Sequence, residues 1–346
     1  MDLIHKAVDD SFNIELKLLT QANWKEVMSF CLSQGVVGLC YEALEKLEEA
    51  CRPPRDLLME CFGQVNIHEN LYQLHKATLG HLAQFYQKEG IWMLLLKGYG
   101  LSLCWPKPEH RPVGDIDCYN FGLQEVADKR IREEYGIEID DSHHKHTVFL
   151  FEGTMVENHY SFLNIYGHRS TAEIERILEE EVKRGCKVDD ELQNVYYPSV
   201  RFNSLYLLRH SAEHFASVEI NLRQVLDWGF FVRASEVDWG WLLCQLDKVG
   251  MKRYLAVLNA ICVRYLGFDA SLFPTLDIDE RIVERSINDI LSPEFQKEKH
   301  KNTLAEIGYR FRRWNANRWK HDMVYRENAW QSLCKQVWSH VLKPSL

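Results

Sequence analysis

The stretch Gly114-Asp115-Ile116-Asp117 limits the folds open to this chain more than any other, because it sets two carboxylates two residues apart where a β-prone run begins. Side chains at i and i+2 of a strand share a face, so Asp115 and Asp117 point the same way and can hold a divalent ion between them. Upstream, the apolar run over residues 91–96 predicts a buried strand that stops at Lys97-Gly98. There a residue without a side chain lets the backbone approach something closely before a short helix. A strand, a glycine turn, a helix and an acidic strand make a phosphate-handling layout.

The hydrophobic period changes on either side of this stretch. Apolar residues at three and four spacing predict helices over 24–32, 36–47 and 55–88, with Pro53-Pro54 as the break before the last. From 90 to about 165 the pattern predicts strands over 91–96, 116–120, 137–139, 147–152 and 155–163, with Gly153-Thr154 as a hairpin turn and a charged helix over 123–135. Helices return over 171–184, 203–217, 220–234, 238–249, 251–266 and 279–291, and Asn203-Ser204 is the expected cap of the second. The expected architecture is α+β: a helical region over 1–89, a small core built on a β-sheet over 90–168, and a helical domain over 169–346.

A formal net charge of −9 argues against whole-surface attraction to nucleic acid. A local exception is the segment 310–346, where eight Lys or Arg (310, 312, 313, 318, 320, 326, 335 and 343) face only Asp322 and Glu327, a balance of 8 minus 2, or +6. With Trp314, Trp319, Trp330 and Trp338 between them, these helices read either as packing with a solvated face or as a surface for a polyanionic acceptor or nucleic acid. None of the ten cysteines forms a C-x-x-C pair, so buried reduced thiols are expected rather than a zinc ribbon or redox pair. The acidic amino terminus does not read as a signal peptide, and no apolar run nears the roughly 18 residues of a membrane span. A cytoplasmic protein without a membrane partner is expected.

Paired aspartates suit hard Mg²⁺, which binds through one or two carboxylates plus substrate phosphates, and Mn²⁺ is the other ion such oxygens accept. Two ions about 4 Å apart can bracket an in-line phosphoryl or nucleotidyl displacement, given a third carboxylate. Glu157 is the candidate, because the 155–163 strand follows soon enough to lie beside the acidic one, with Glu157 and His159 on one face. Arg111, four residues before Asp115, is either a phosphate clamp or a pin for the proline-containing loop. His210-Ser-Ala-Glu213-His214 has the H-x-x-E-H spacing of a helical zinc site, which would make the chain a zinc hydrolase; otherwise His210 and His214 line a cleft or pack. Arg223 and Asp227, four apart on a helix, form an intrahelical pair unless Arg223 turns to a triphosphate. His143-His144-Lys145-His146 reads as an exposed loop ahead of a strand.

Lys97-Gly98, then Arg111-Pro112-Val113-Gly114-Asp115-Ile116-Asp117, then Val156-Glu157-Asn158-His159-Tyr160 together resemble the bacterial uncharacterised nucleotidyltransferase family, within the DNA polymerase β-like superfamily. The resemblance covers roughly residues 90–230 and includes His210, His214, Arg223 and Asp227. It implies a mixed sheet flanked by helices, a turn at Lys97-Gly98 near the nucleotide phosphates, and two Mg²⁺ held by Asp115, Asp117 and Glu157. Lys97, Gly98, Arg111, Gly114, His159, His210, His214 and Arg223 are the expected nucleotide-binding residues. The implied activity moves a nucleoside monophosphate from an NTP, ATP first among them, to a small-molecule or macromolecular acceptor. A nucleotide-binding regulatory or scaffold protein on the same fold is the alternative. The turn departs from the superfamily's usual Gly-Ser or Gly-Gly, since Tyr99 follows Gly98, and Pro106 and Pro108 lengthen the interval to Asp115.

Overall fold

The computed structural model describes residues 1–166, 168–217, 219–295 and 303–332. Helices α1 (Asp2–Val8), α2 (Leu16–Thr20), α3 (Trp24–Ser33), α4 (Val37–Glu45) and the 34-residue α5 (Arg55–Lys88) come first. Pro54 caps α5, as expected of a residue that cannot donate into a preceding turn, and Gly90 follows its end at φ +71. Next come β1 (Met93–Leu95), α6 (Tyr99–Ser102), β2 (Ile116–Tyr119), α7 (Gln124–Tyr135), β3 (His146–Phe151) and β4 (Thr154–His159). Then follow α8 (Arg169–Arg184), β5 (Cys186–Val188), β6 (Val195–Pro198), α9 (Val200–Ser217), α10 (Leu222–Ala234), α11 (Trp239–Val249), α12 (Lys252–Leu266), α13 (Glu280–Leu291), α14 (Thr303–Ala316) and α15 (Arg318–Val324).

The fold is α+β. Its six-stranded mixed sheet runs β3-β4-β2-β1-β6-β5, with β2 parallel to β4, β1 parallel to β6, and the other neighbours antiparallel. Strand alternation sorts the side chains between two cores. Met93, Leu95, Ile116, Cys118, Phe149, Phe151, Val156 and Val195 pack with Leu79, Leu82, Ala83 and Tyr86 of α5 and Ala127 and Ile131 of α7. Leu94 and Leu96 belong to the larger core shared with α8, α9, α10 and α12. Asp117 of β2 and Glu157 and His159 of β4 alternate with the first set, so they face away from α5, whereas Asn158 stays on the α7 side and donates to Asp128 at 2.8 Å.

The strands differ from expectation in four places. Residues 137–139 form no strand; Gly136 ends α7 at φ +64, and the one pairing nearby is an Asp140–Val148 bridge. The 155–163 run stops at His159, because the N–H groups of Phe162 and Leu163 donate to the Glu175 carboxylate at 2.8 and 2.9 Å instead of to a ladder. The hairpin turn is Glu152-Gly153, not Gly153-Thr154. Both residues have positive φ, +47 and +81, the conformation of the two-residue turns that match strand twist. Finally, β5 and β6 lie inside the segment expected to be helical; at three and four residues they are too short to show a period. The helix expected from 203 begins at Val200, and Ser199 rather than Asn203 or Ser204 caps it, its Oγ accepting from the Phe202 N–H at 3.2 Å.

Candidate active site

Parallel pairing of β2 and β4 sets Asp117 directly opposite Glu157, and Tyr119 opposite His159. One carboxylate oxygen from each of Asp115, Asp117 and Glu157 lies within 4.8 Å of the others. Lys97 leaves the end of β1 and brings its Nζ to 2.9 Å from Asp117 Oδ1. His159 Nε2 is 3.1 Å from the same oxygen and 3.4 Å from Glu157 Oε2, while its Nδ1 faces the Ser161 carbonyl at 3.1 Å. Both ring nitrogens of His159 therefore face acceptors.

Burial and charge oppose each other across this cluster. Burial pushes the Asp117 carboxyl up, but the Lys97 ammonium and the His159 ring outweigh it and hold Asp117 well below the usual carboxylate range. Burial disfavours the Lys97 charge, and Asp117 and Asp115 more than restore it. His159 is likewise pulled down by burial and raised overall by Asp117 and Glu157. Asp115 shifts upward, first from burial and then from the Asp117 charge. Glu157 ends below its ordinary value because the His159 contact offsets its burial.

These residues fit a hard divalent ion. The donor set is three carboxylates, and among the described residues Asp117 Oδ2 is buried without a hydrogen-bond partner, a lone pair that an ion would satisfy. Gly98 sits at φ +63 and ψ −115, a conformation that L side chains rarely adopt, and a Cβ there would come within 3.3 Å of the Asp115 carbonyl. The turn therefore depends on glycine to bring β1 against the acidic strand. Tyr99, the residue after this glycine, packs toward α5 and stacks on Tyr72 at 5.4 Å.

Between the sheet and the carboxyl-terminal helices lies a cavity of about 100 Å³. Its lining includes Lys97, Gly98, Arg111, Gly114 and Asp115 from the core, His210 from α9, and Arg223 and Asp227 from α10. Of the residues expected to bind nucleotide, Lys97, Gly98, Arg111, Gly114, His210 and Arg223 meet here. His159 lies deeper, beside Asp117, and His214 lies on the exposed side of α9 with its ring 4.6 Å from that of His210.

Arg111 and Arg223 are used differently. The Arg111 Nε and Nη2 donate to both oxygens of Asp227 at 2.7 and 2.9 Å, and Trp105 Nε1 donates to Asp227 Oδ1 at 2.9 Å. The loop through Pro106 and Pro108 is thereby tied to α10, and His110 ties it to α4 and α5 through Glu42 at 2.8 Å and Glu69 at 3.1 Å. Asp227 thus pairs with Arg111 across 116 residues rather than with Arg223 one helical turn away. Among the described residues the Arg223 guanidinium makes one hydrogen bond, Nη1 to the Pro112 carbonyl at 3.4 Å. Burial, reinforced by the nearby Arg111 cation, depresses its proton affinity, so an anion in the cavity would satisfy it.

His146, expected in an exposed loop, is buried at the start of β3, opposite His159 and 3.4 Å from Glu157 Oε2. The signal was the turn: placing it at Glu152-Gly153 pairs 146 with 159, whereas Gly153-Thr154 would pair 146 with 161. Neither ligand cluster found among the described residues includes His210 or His214, so the H-x-x-E-H helix lacks a third metal ligand there. Burial moves His210 well below the ordinary histidine value, which keeps it neutral in the cavity wall. The basic tail is partly engaged in packing: Lys320 is buried and pairs with Asp289 at 2.5 Å, and Arg285 stacks over Trp319 at 4.2 Å. Lys335, Trp338 and Lys343 lie outside the described residues. Among the described residues no helix is long and apolar enough to cross a membrane.

A family model described as an uncharacterised nucleotidyltransferase matches residues 20–267. No curated protein and no solved structure matches the chain.

Proposed function

The chain belongs to the uncharacterised nucleotidyltransferase family, and we propose that it transfers a nucleoside monophosphate from an NTP to an acceptor hydroxyl and releases pyrophosphate. One observation carries this reading: Asp115, Asp117 and Glu157 converge from two adjacent parallel strands beside a cavity lined by Lys97 and Arg223. Asp115, Asp117 and Glu157 would hold Mg²⁺, or Mn²⁺ in its place. When bound, such ions neutralise phosphate charge and make the attacking oxygen more acidic.

The rest of the reaction falls to the chain's own groups. Arg223, with a single weak backbone contact, receives the phosphate charge, and the cavity's size supports this. Pockets for whole drug-sized ligands run to about 300–1,000 Å³, so about 100 Å³ suits the phosphate end, with sugar and base directed outward. Gly98 and Gly114 keep the entrance free of side chains. Glu157, ionised, accepts the hydrogen bond of the acceptor hydroxyl and aligns it. Arg111 acts through Asp227, fixing the loop that carries Gly114. ATP is the first donor to test, and the acceptor is identified by what supports turnover.

A second reading, a nucleotide-binding protein without turnover, draws on Lys97: its ammonium stands on Asp117, the carboxylate an ion would need. The experiment separates them. Purified protein with Mg²⁺ and each labelled NTP, offered candidate acceptors, is expected to release pyrophosphate, and Asp117→Asn is expected to abolish release in protein whose fold is verified by circular dichroism. Turnover that survives Asp117→Asn overturns the catalytic assignment. NTP binding that persists in Asp115→Asn and Asp117→Asn, with no turnover in wild type, selects the second reading.

A further inference from the structure

We propose that His146, Glu157 and His159 form a binding position for a divalent first-row transition ion, best matched by Zn²⁺ or Co²⁺, beside the oxygen-only position of Asp115, Asp117 and Glu157. One donor atom from each of the three lies within 4.8 Å of the others. His146 Nδ1 and His159 Nε2 each lie 3.4 Å from Glu157 Oε2. That spacing is long for a hydrogen bond. It matches the edge of a tetrahedron: with Zn–N and Zn–O bonds of about 2.0–2.1 Å, ligand atoms stand about 3.4 Å apart.

Two further observations favour an ion over a bare hydrogen-bond network. His146 is only 6% exposed, yet among the described residues its Nδ1 has no hydrogen-bond partner, which is costly unless an ion satisfies it. His159 presents its Nδ1 to the Ser161 carbonyl at 3.1 Å, the outer contact of a ligating histidine, and its Nε2, 3.1 Å from Asp117 Oδ1, would exchange that contact for the ion. Nitrogen donors separate the two positions by ion type. Imidazole selects zinc, cobalt and their neighbours, while carboxylates and water suit Mg²⁺ and Mn²⁺. Glu157 belongs to both sets, so an ion at the histidine position would also fix the carboxylate that the oxygen-only position uses.

The position stands on geometry and does not depend on nucleotidyl transfer. Full-length, tag-free protein is stripped with a chelator and titrated with Co²⁺ in millimolar Mg²⁺, followed by visible absorption. The expected result is one equivalent of Co²⁺ with the bands of nitrogen ligation, resistant to Mg²⁺ and displaced by stoichiometric Zn²⁺. His146→Ala should weaken Co²⁺ by about 100-fold and remove the bands, while Asp115→Asn and His210→Ala retain them. Co²⁺ that Mg²⁺ displaces from wild type overturns the proposal without any variant. So do bands that persist in His146→Gln or disappear in His210→Ala. Turnover is read separately, so loss of the transferase reading leaves this result standing.

Discussion

Arg111 and Arg223 line one cavity and differ in what their guanidinium groups touch. Arg111 meets both oxygens of Asp227 in a buried, two-pronged pair. Removing one partner of such a pair leaves an uncompensated charge and costs about 3–5 kcal/mol, mostly the penalty of the group left behind. Arg111→Met is therefore expected to lower unfolding free energy by about that amount in urea denaturation, and adding Asp227→Asn should restore part of it, a non-additivity that marks the pair. Arg223→Met removes a partly buried cation with one long contact, so stability should stay within about 1 kcal/mol of wild type. Its effect should appear in NTP affinity instead, weakened about 10–100-fold for a lost charge-assisted bond of roughly 1.5–3 kcal/mol. Equal stability losses in the two variants would contradict this division of labour.

At the scale of elements, the β3–β4 hairpin decides which side chains reach the site. Its Glu152-Gly153 turn needs two positive φ values, and a β-branched residue at the second is strained. Gly153→Val should cost about 1–3 kcal/mol in thermal or chemical unfolding, a measurement that would refute the turn assignment if the variant proved as stable as wild type. The same turn explains how much of the site was legible. Asp115, Asp117 and Glu157 could be found because period-two alternation is local, and their faces follow from residue numbers alone. His146 could not, since a shift of one residue in the turn moves its partner from His159 to Ser161. The longer helices, such as α5, α8, α9 and α12, were legible almost to their ends because each repeats its apolar face over three or more turns. β5 and β6 were not, because three or four residues show no period, and only their pairing beside β1 makes them strands. The partner of Asp227 is not legible for a related reason: a neighbour four residues away is visible in sequence, a partner 116 residues away is not.

For the whole molecule, two buried groups on different elements shift in opposite directions and shape stability between them. His75 on α5 is 4% exposed, and burial, helped by the Arg111 charge, lowers it to about 4 from an ordinary 6.5. Its unfolded form binds a proton below pH 6.5 that the folded form refuses until about 4, so its contribution is present above 6.5 and lost as pH falls through that window. Glu175 on α8, 6% exposed, goes the other way: burial outweighs its two backbone N–H donors and raises it to about 7 from 4.5. The folded form keeps a proton that the unfolded form has released, so its contribution is complete below 4.5 and lost as pH rises through 7. Between pH 4.5 and 6.5 the two slopes have opposite sign and similar size, and each integrates to a few kcal/mol at about 1.4 kcal/mol per unit. The expected unfolding free energy, followed by urea titration across pH 4–8, is flatter for wild type than for either single variant. His75→Phe should gain relative stability toward acid, Glu175→Gln should gain it toward neutrality, and the double variant should return to a flat difference curve. A His75→Phe difference that does not change between pH 4 and 6.5 would place that ring in water, contrary to its position between α5 and the loop that carries Arg111.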